Sequence, residues 1–160
     1  MSGTHERSGA PEGTVLAFDF GTRKVGVALG NTISGIARPL LTLHDPSASA
    51  RFTRIGAIIA EWEPVLLVSG RPLHADGTTH RTTALADEFA RELARRFQLP
   101  VEQVDERYTT QIADAERRAR GARAGKGGQP ERDAVAAQII LQSWLDQRPT
   151  TVPRANEESA

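Results

Sequence analysis

Three places in the chain put a carboxylate where an apolar element ends or begins. Asp19 interrupts the apolar run Val15-Leu16-Ala17-Phe18 just before a turn at Gly21. A carboxylate beside a buried strand is costly unless it is paired, hydrogen-bonded or metal-bound. Asp105-Glu106-Arg107 repeats the pattern behind the apolar stretch Val101 to Val104. Asp133 opens a helical stretch in which positions 133, 137, 140 and 144 share one face. Those positions are Asp133, Ala137, Ile140 and Trp144, so the carboxylate points with the apolar side. Plain structural roles exist for all three: a turn cap for Asp19, and helix-dipole complements for the other two. The dipole explains why Asp133 stands in a first turn, but not why it faces inward.

Ligands of open α/β sheets bind at the C-terminal edge of the strands, where these acids would converge. Oxygen ligands without His or Cys suit Mg²⁺ or Mn²⁺. Such ions in pairs activate water and stabilise the leaving oxygen in phosphodiester cleavage. Either Asp105 or Glu106 could complete the set with Asp19 and Asp133, depending on how the loop turns.

The second chemical signal is electrostatic. Arg117, Arg118, Arg120, Arg123, Lys126 and Arg132 face Glu131 alone, which leaves +5 over sixteen residues. Four glycines in the same stretch predict a mobile segment, and a phosphate backbone is its natural partner. The alternative is a solvated loop. The stretch is not a nucleotide-cradling loop, since Arg120 stands at its first glycine position and no Ser or Thr follows Lys126. His74 and His80 flank Asp76-Gly77-Thr78 without metal-ligand spacing and read as turn histidines.

Buried strands and amphipathic helices must position these groups. Val15 to Phe18 predicts a strand covered on both faces. Lys24 to Leu29 predicts a second strand returning beside it, with Gly26 and Gly30 marking a close approach or a bulge. Ile36 to Leu43, Val65 to Ser69 and Val101 to Val104 complete five strands. Helices are expected at about 50–62, 79–97, from Thr109 or Thr110 to about Arg120, and 132–146. The order predicts an α/β domain with a mixed five-stranded sheet flanked by helices.

The chain has 160 residues, 39% of them hydrophobic, which suits one domain. Residues 1–13 and 148–160 read as polar tails around a globular part at 14–147. Lysine plus arginine and aspartate plus glutamate both number 20, so no global field marks a nucleic-acid partner. Cysteine is absent, which excludes disulfides, thiolate metal sites and a cysteine nucleophile. With no signal-peptide pattern and no apolar run of membrane length, a cytoplasmic protein is expected.

At these residues the chain resembles the YqgF/RuvX family. The resemblance runs through Leu16-Ala17-Phe18-Asp19-Phe20-Gly21-Thr22, Val25-Gly26-Val27-Ala28, Gly70-Arg71-Pro72, Asp76-Gly77-Thr78, Asp105-Glu106-Arg107-Tyr108-Thr109-Thr110, and Asp133 to Leu141. It implies a ribonuclease H-like fold and a divalent-metal nuclease with Asp19, Glu106 and Asp133 as the acids. It further implies maturation of the 5′ end of pre-16S ribosomal RNA, or resolution of Holliday junctions. Arg132 stands where the family often has a hydrophobic residue. Two other readings compete. One is a non-catalytic nucleic-acid-binding factor. The other is an actin-like phosphate loop at Asp19-Phe20-Gly21-Thr22, for which one lobe is too little chain.

Overall fold

The computed structural model describes residues 12–107 and 132–148. Its elements are β1 (Thr14–Phe20), β2 (Val25–Asn31), β3 (Ile36–Leu43), α1 (Ala48–Trp62), β4 (Leu66–Arg71), α2 (Arg81–Phe97), β5 (Val101–Asp105) and α3 (Arg132–Gln147). The helix expected from Thr109 or Thr110 to Arg120 lies outside the described residues, as do 1–11 and 149–160 of the expected tails. Gly13 is tied to the fold by hydrogen bonds with Thr32: its N–H donates to Oγ1 (2.9 Å) and its carbonyl accepts from the Thr32 N–H (3.0 Å). At the other end the Arg148 guanidinium lies 5.0 Å from the Trp144 ring centre.

The strands form one sheet in the order β3-β2-β1-β4-β5. β1, β2 and β3 pair antiparallel, while β4 pairs parallel to β1 and β5 parallel to β4. The crossovers β3-α1-β4 and β4-α2-β5 step across the sheet in the same direction. Right-handed connections therefore put α1 and α2 on the same face. There Phe52, Ile55, Ile58, Phe89 and Leu93 pack on Leu16, Phe18, Val27 and Leu67. α3 covers the other face, packing Ala137, Ile140, Leu141 and Trp144 on Val15, Ala17, Ala28 and Val68.

β1 lies at the centre, and side-chain alternation divides it. Leu16 and Phe18 enter the α1/α2 side, Val15 and Ala17 the α3 side, and the same period carries Asp19 to the α3 side. Both faces of this strand are covered, which is why its sequence is a continuous apolar run.

Caps explain where the helices depart from expectation. α1 begins at Ala48 because the Ser47 hydroxyl accepts from the Ala50 N–H. α2 begins at Arg81 because His80 is its cap: Nδ1 accepts from the Thr82 N–H and the Thr83 hydroxyl accepts from the His80 N–H. β4 outruns the expected Ser69 end because Gly70 and Arg71 still pair with Val104 and Asp105 of β5. Strand β2 starts at Val25, so Lys24 belongs to the turn. The irregularity anticipated in β2 is present as a register shift between Val27 and Ala28. On the edge strand β3, Gln138 and Gln142 of α3 bond the Ala37 carbonyl and N–H, which closes that position to another strand. No helix among the described residues is long and apolar enough to cross a membrane.

Candidate active site at the sheet edge

Asp19 pairs across the β1–β2 ladder with Gly26. A side chain at Gly26 would collide with the main-chain carbonyl of Asp133. Glycine there lets the first turn of α3 sit directly on the sheet, one strand away from Asp19. Gly70 does the same from the other side. A Cβ at Gly70 would run into the Glu106 carboxylate and come within 2.7 Å of Ile140 Cδ1. Glu106 stands one residue beyond β5, where its N–H donates to the Arg71 carbonyl (3.0 Å) and prolongs the pairing. Its side chain thus lies back over Gly70 and meets Asp19.

The two carboxyl groups lie within hydrogen-bonding reach of each other, a crowding that favours the protonated form. Burial, reinforced by the charges of Glu106 and then Asp133, pushes the Asp19 carboxyl up to about 8. Glu106 is also raised, chiefly by burial and further by Asp105, against the opposing hydrogen bond from Asp19. Asp133 adds its charge to this pair but is held elsewhere, with Oδ2 3.5 Å from Lys24 Nζ on the β1–β2 turn. Among the described residues, no three acidic or imidazole side chains are already closed around one point. The donor set nevertheless fits a hard divalent ion, because all three groups offer carboxylate oxygen.

Asp105 takes a different course. Its carboxylate accepts from the Arg107 N–H (2.9 Å) and pairs with the Arg107 guanidinium (2.7 Å), which holds it below the ordinary carboxylate range. The guanidinium reaches on toward the Ala75 carbonyl (3.4 Å) in the loop after β4. On the same margin Arg71 forms a two-pronged pair with Asp87 (2.9 and 3.1 Å).

Residues 13–147 match the family model described as RuvX: Holliday junction resolvase. The chain belongs to that family. A Dechloromonas aromatica (strain RCB) protein named "Putative pre-16S rRNA nuclease" is 51% identical over 141 residues, covering 88% of this chain and 96% of its own. A Chromobacterium violaceum protein of the same name is 47% identical over 137 residues, covering 86% of this chain and 100% of its own. Among solved structures, Thermus thermophilus RuvC in complex with a Holliday junction substrate superposes with a TM-score of 0.51 at 19% identity, covering 82% of this chain and 92% of that one. The mixed five-stranded sheet of this RuvX chain is thus the ribonuclease H-like fold expected from its motifs.

Within the RuvX fold, Asp19 and Glu106 meet, and Asp133 stands beside them across Gly26. Of the two neighbours left open by the sequence, Glu106 faces Asp19 and Asp105 faces Arg107. Arg117, Arg118, Arg120, Arg123 and Lys126 lie outside the described residues. His74 and His80 lie with ring centres 4.6 Å apart and ring planes inclined at 55°, and His80 caps α2. Lys24 was missed by sequence reasoning, because its expected place in a strand concealed that the turn aims it at Asp133. The close approach behind Gly26 was signalled by a glycine inside an apolar strand. For Gly70 the turn-like Gly70-Arg71-Pro72 hid the signal.

Proposed function

We propose that this chain is a metal-dependent nuclease that hydrolyses phosphodiester bonds, with Asp19, Glu106 and Asp133 holding Mg²⁺ or Mn²⁺. The observation that carries the reading is the Asp19–Glu106 contact with Asp133 beside it: buried negative charge gathered on one sheet edge. Bound there, a pair of divalent ions would supply an activated water and charge for the leaving oxygen. Asp19 and Glu106 would hold an ion in their ionised form, any proton on them passing to solvent, and Asp133 would exchange its contact with Lys24 for the ion. Gly26 and Gly70 hold the three acids close by keeping side chains out of the space between them.

The substrate we favour is structured RNA, namely the 5′ end of pre-16S rRNA in the cytoplasm. Relatives at 47–51% identity carry that name, whereas the likeness to RuvC speaks for the fold. The description of the family model supports junction DNA as the second reading. Arg117, Arg118, Arg120, Arg123 and Lys126 enter the chain between Glu106 and Asp133, and we assign them to the phosphate backbone. The activity would reside in a single domain spanning 14–147.

A side-by-side assay on pre-16S rRNA, a four-way DNA junction and linear duplex, with and without chelator, tests the reading. Metal-dependent cleavage of the rRNA precursor is the expected result. Cleavage of the junction alone would move the assignment to resolvase. No cleavage of any substrate with Mg²⁺ or Mn²⁺ would leave a binding factor.

A further inference from the structure

Arg51 is a buried cation in an unfavourable place. It lies in the first turn of α1, a turn with no acidic residue, so its charge opposes the helix dipole. Only 8% of it is exposed, and its Nε is buried without a partner. Its two terminal nitrogens each donate to a main-chain carbonyl, Nη1 to Gly21 (3.4 Å) and Nη2 to Thr22 (3.2 Å). Burying a guanidinium on neutral acceptors is costly, so the position of that turn is what it secures.

The turn Gly21 to Lys24 joins Asp19's strand to β2 and ends on the lysine that meets Asp133. α1 lies on the sheet face opposite α3. Arg51 therefore draws the Gly21 and Thr22 carbonyls toward the α1 side. No cis peptide is present among the described residues, and in a trans peptide the N–H points opposite to its carbonyl. The N–H groups of Thr22 and Arg23 consequently point toward the α3 side, which carries Asp19 and Asp133. Both residues are exposed, and neither N–H has a partner among the described residues. Successive main-chain N–H groups turned to one side make a cradle for an anionic oxygen.

We propose that the Thr22 and Arg23 N–H groups bind a phosphate oxygen of the nucleic-acid backbone beside the acids, and that Arg51 is the positioning residue that turns them there. The inference rests on the nucleic-acid reading above and adds a contact to it. It assigns the turn to phosphate, separately from the acids, which hold metal. Lys24 at the end of the turn contributes positive charge to the same position.

The test uses the full chain. Affinities for a labelled RNA hairpin and for a four-way DNA junction are measured in chelator at low salt. Affinity for Mn²⁺ alone is measured by calorimetry, and thermal melting reports folding. Arg23→Pro removes the N–H and the side-chain charge, whereas Arg23→Ala removes only the charge. We expect Arg23→Pro to bind the preferred probe about tenfold more weakly than Arg23→Ala, the scale of one lost charge-assisted hydrogen bond. Arg51→Met and Arg51→Lys should both weaken probe binding by a similar factor, since one ammonium cannot span two carbonyls. Their Mn²⁺ affinity should stay within about twofold, because Arg51 bonds only main-chain carbonyls of the turn and no metal ligand is removed. If Arg23→Pro does not fold, Thr22→Pro against Thr22→Ala makes the same comparison, and if neither folds the Arg51 pair decides. Equal binding by the proline and alanine variants overturns the cradle. Loss of Mn²⁺ affinity in proportion to probe affinity in the Arg51 variants overturns it too, because Arg51 would then serve the acids. A wild-type chain that binds or cleaves a probe while the paired variants agree overturns this inference alone. A wild-type chain that binds neither probe overturns the nucleic-acid reading with it.

Discussion

Asp105 and Glu106 are adjacent in sequence and the fold treats them oppositely. Asp105 turns to the outer margin, where Arg107 neutralises it and holds its carboxyl below the ordinary range. Asp87 is held down in the same way by Arg71, with help from Gln103. Glu106 turns over Gly70 onto the α3 side and meets another carboxyl group, and both are pushed up. One margin thus pairs its carboxylates with the chain's own guanidinium groups, while on the other two carboxyl groups are buried against each other and raised by that burial.

The largest break in this contrast should come from Asp19→Asn. Metal-dependent cleavage should fall by more than the roughly 10–100-fold that loss of a ligand's hydrogen-bonded outer partner costs. The metal-free protein should melt higher, because one of the crowded carboxylates is gone. Cleavage rates and melting in chelator check both halves, and a variant that melts lower would deny that the acids repel.

Gly70→Ala should displace Glu106 without removing it. The added methyl meets the Glu106 carboxylate and Ile140 Cδ1, so destabilisation of about 1–3 kcal/mol is expected for overpacking. Mn²⁺ affinity should drop as well. Denaturant unfolding with calorimetry separates the two effects. Unchanged Mn²⁺ affinity would take Glu106 out of the ligand set.

Asp105→Asn should cost only stability, about 1 kcal/mol as for a partly exposed ion pair. Mn²⁺ affinity should remain, and a large loss there would restore Asp105 as a ligand.

A pair of opposite pH slopes is expected in the metal-free protein. A carboxyl raised by folding is protonated more in the folded state, so stability falls as pH rises from the ordinary value near 4 toward about 8 for Asp19. A carboxyl lowered by folding, as at Asp87, contributes above the ordinary value of 3.8 and is lost as pH falls through its depressed folded value. Unfolding free energies in chelator, compared with Asp19→Asn from pH 4 to 8 and with Asp87→Asn below pH 4, should show the two trends. Parallel slopes for wild type and Asp19→Asn would remove the raised carboxyl from the account.

Local chemistry made much of this molecule legible in advance. The continuous apolar run of β1 and the apolar periodicity of the stretches expected as helices at about 50–62 and 79–97 depend on neighbours along the chain, and those elements formed there, although Leu85 is left exposed on α2. The inward face of Asp133 followed from the same helical arithmetic, as Ala137, Ile140 and Trp144 are in the core. Those patterns and the motifs at Asp19, Glu106 and Asp133 determined the fold class, the family and the candidate acids. The choice between Asp105 and Glu106 depended on contacts distant in sequence, with Gly70 leaving room for one and Arg107 claiming the other. The roles of Lys24 and Arg51 were equally hidden. Each is an unremarkable basic residue until the turn and α1 bring one to Asp133 and the other beneath Gly21 and Thr22. Periodicity records which side of an element is apolar. Which charged groups share a volume is decided only when the sheet is assembled, because charge interacts through space and takes no account of chain order.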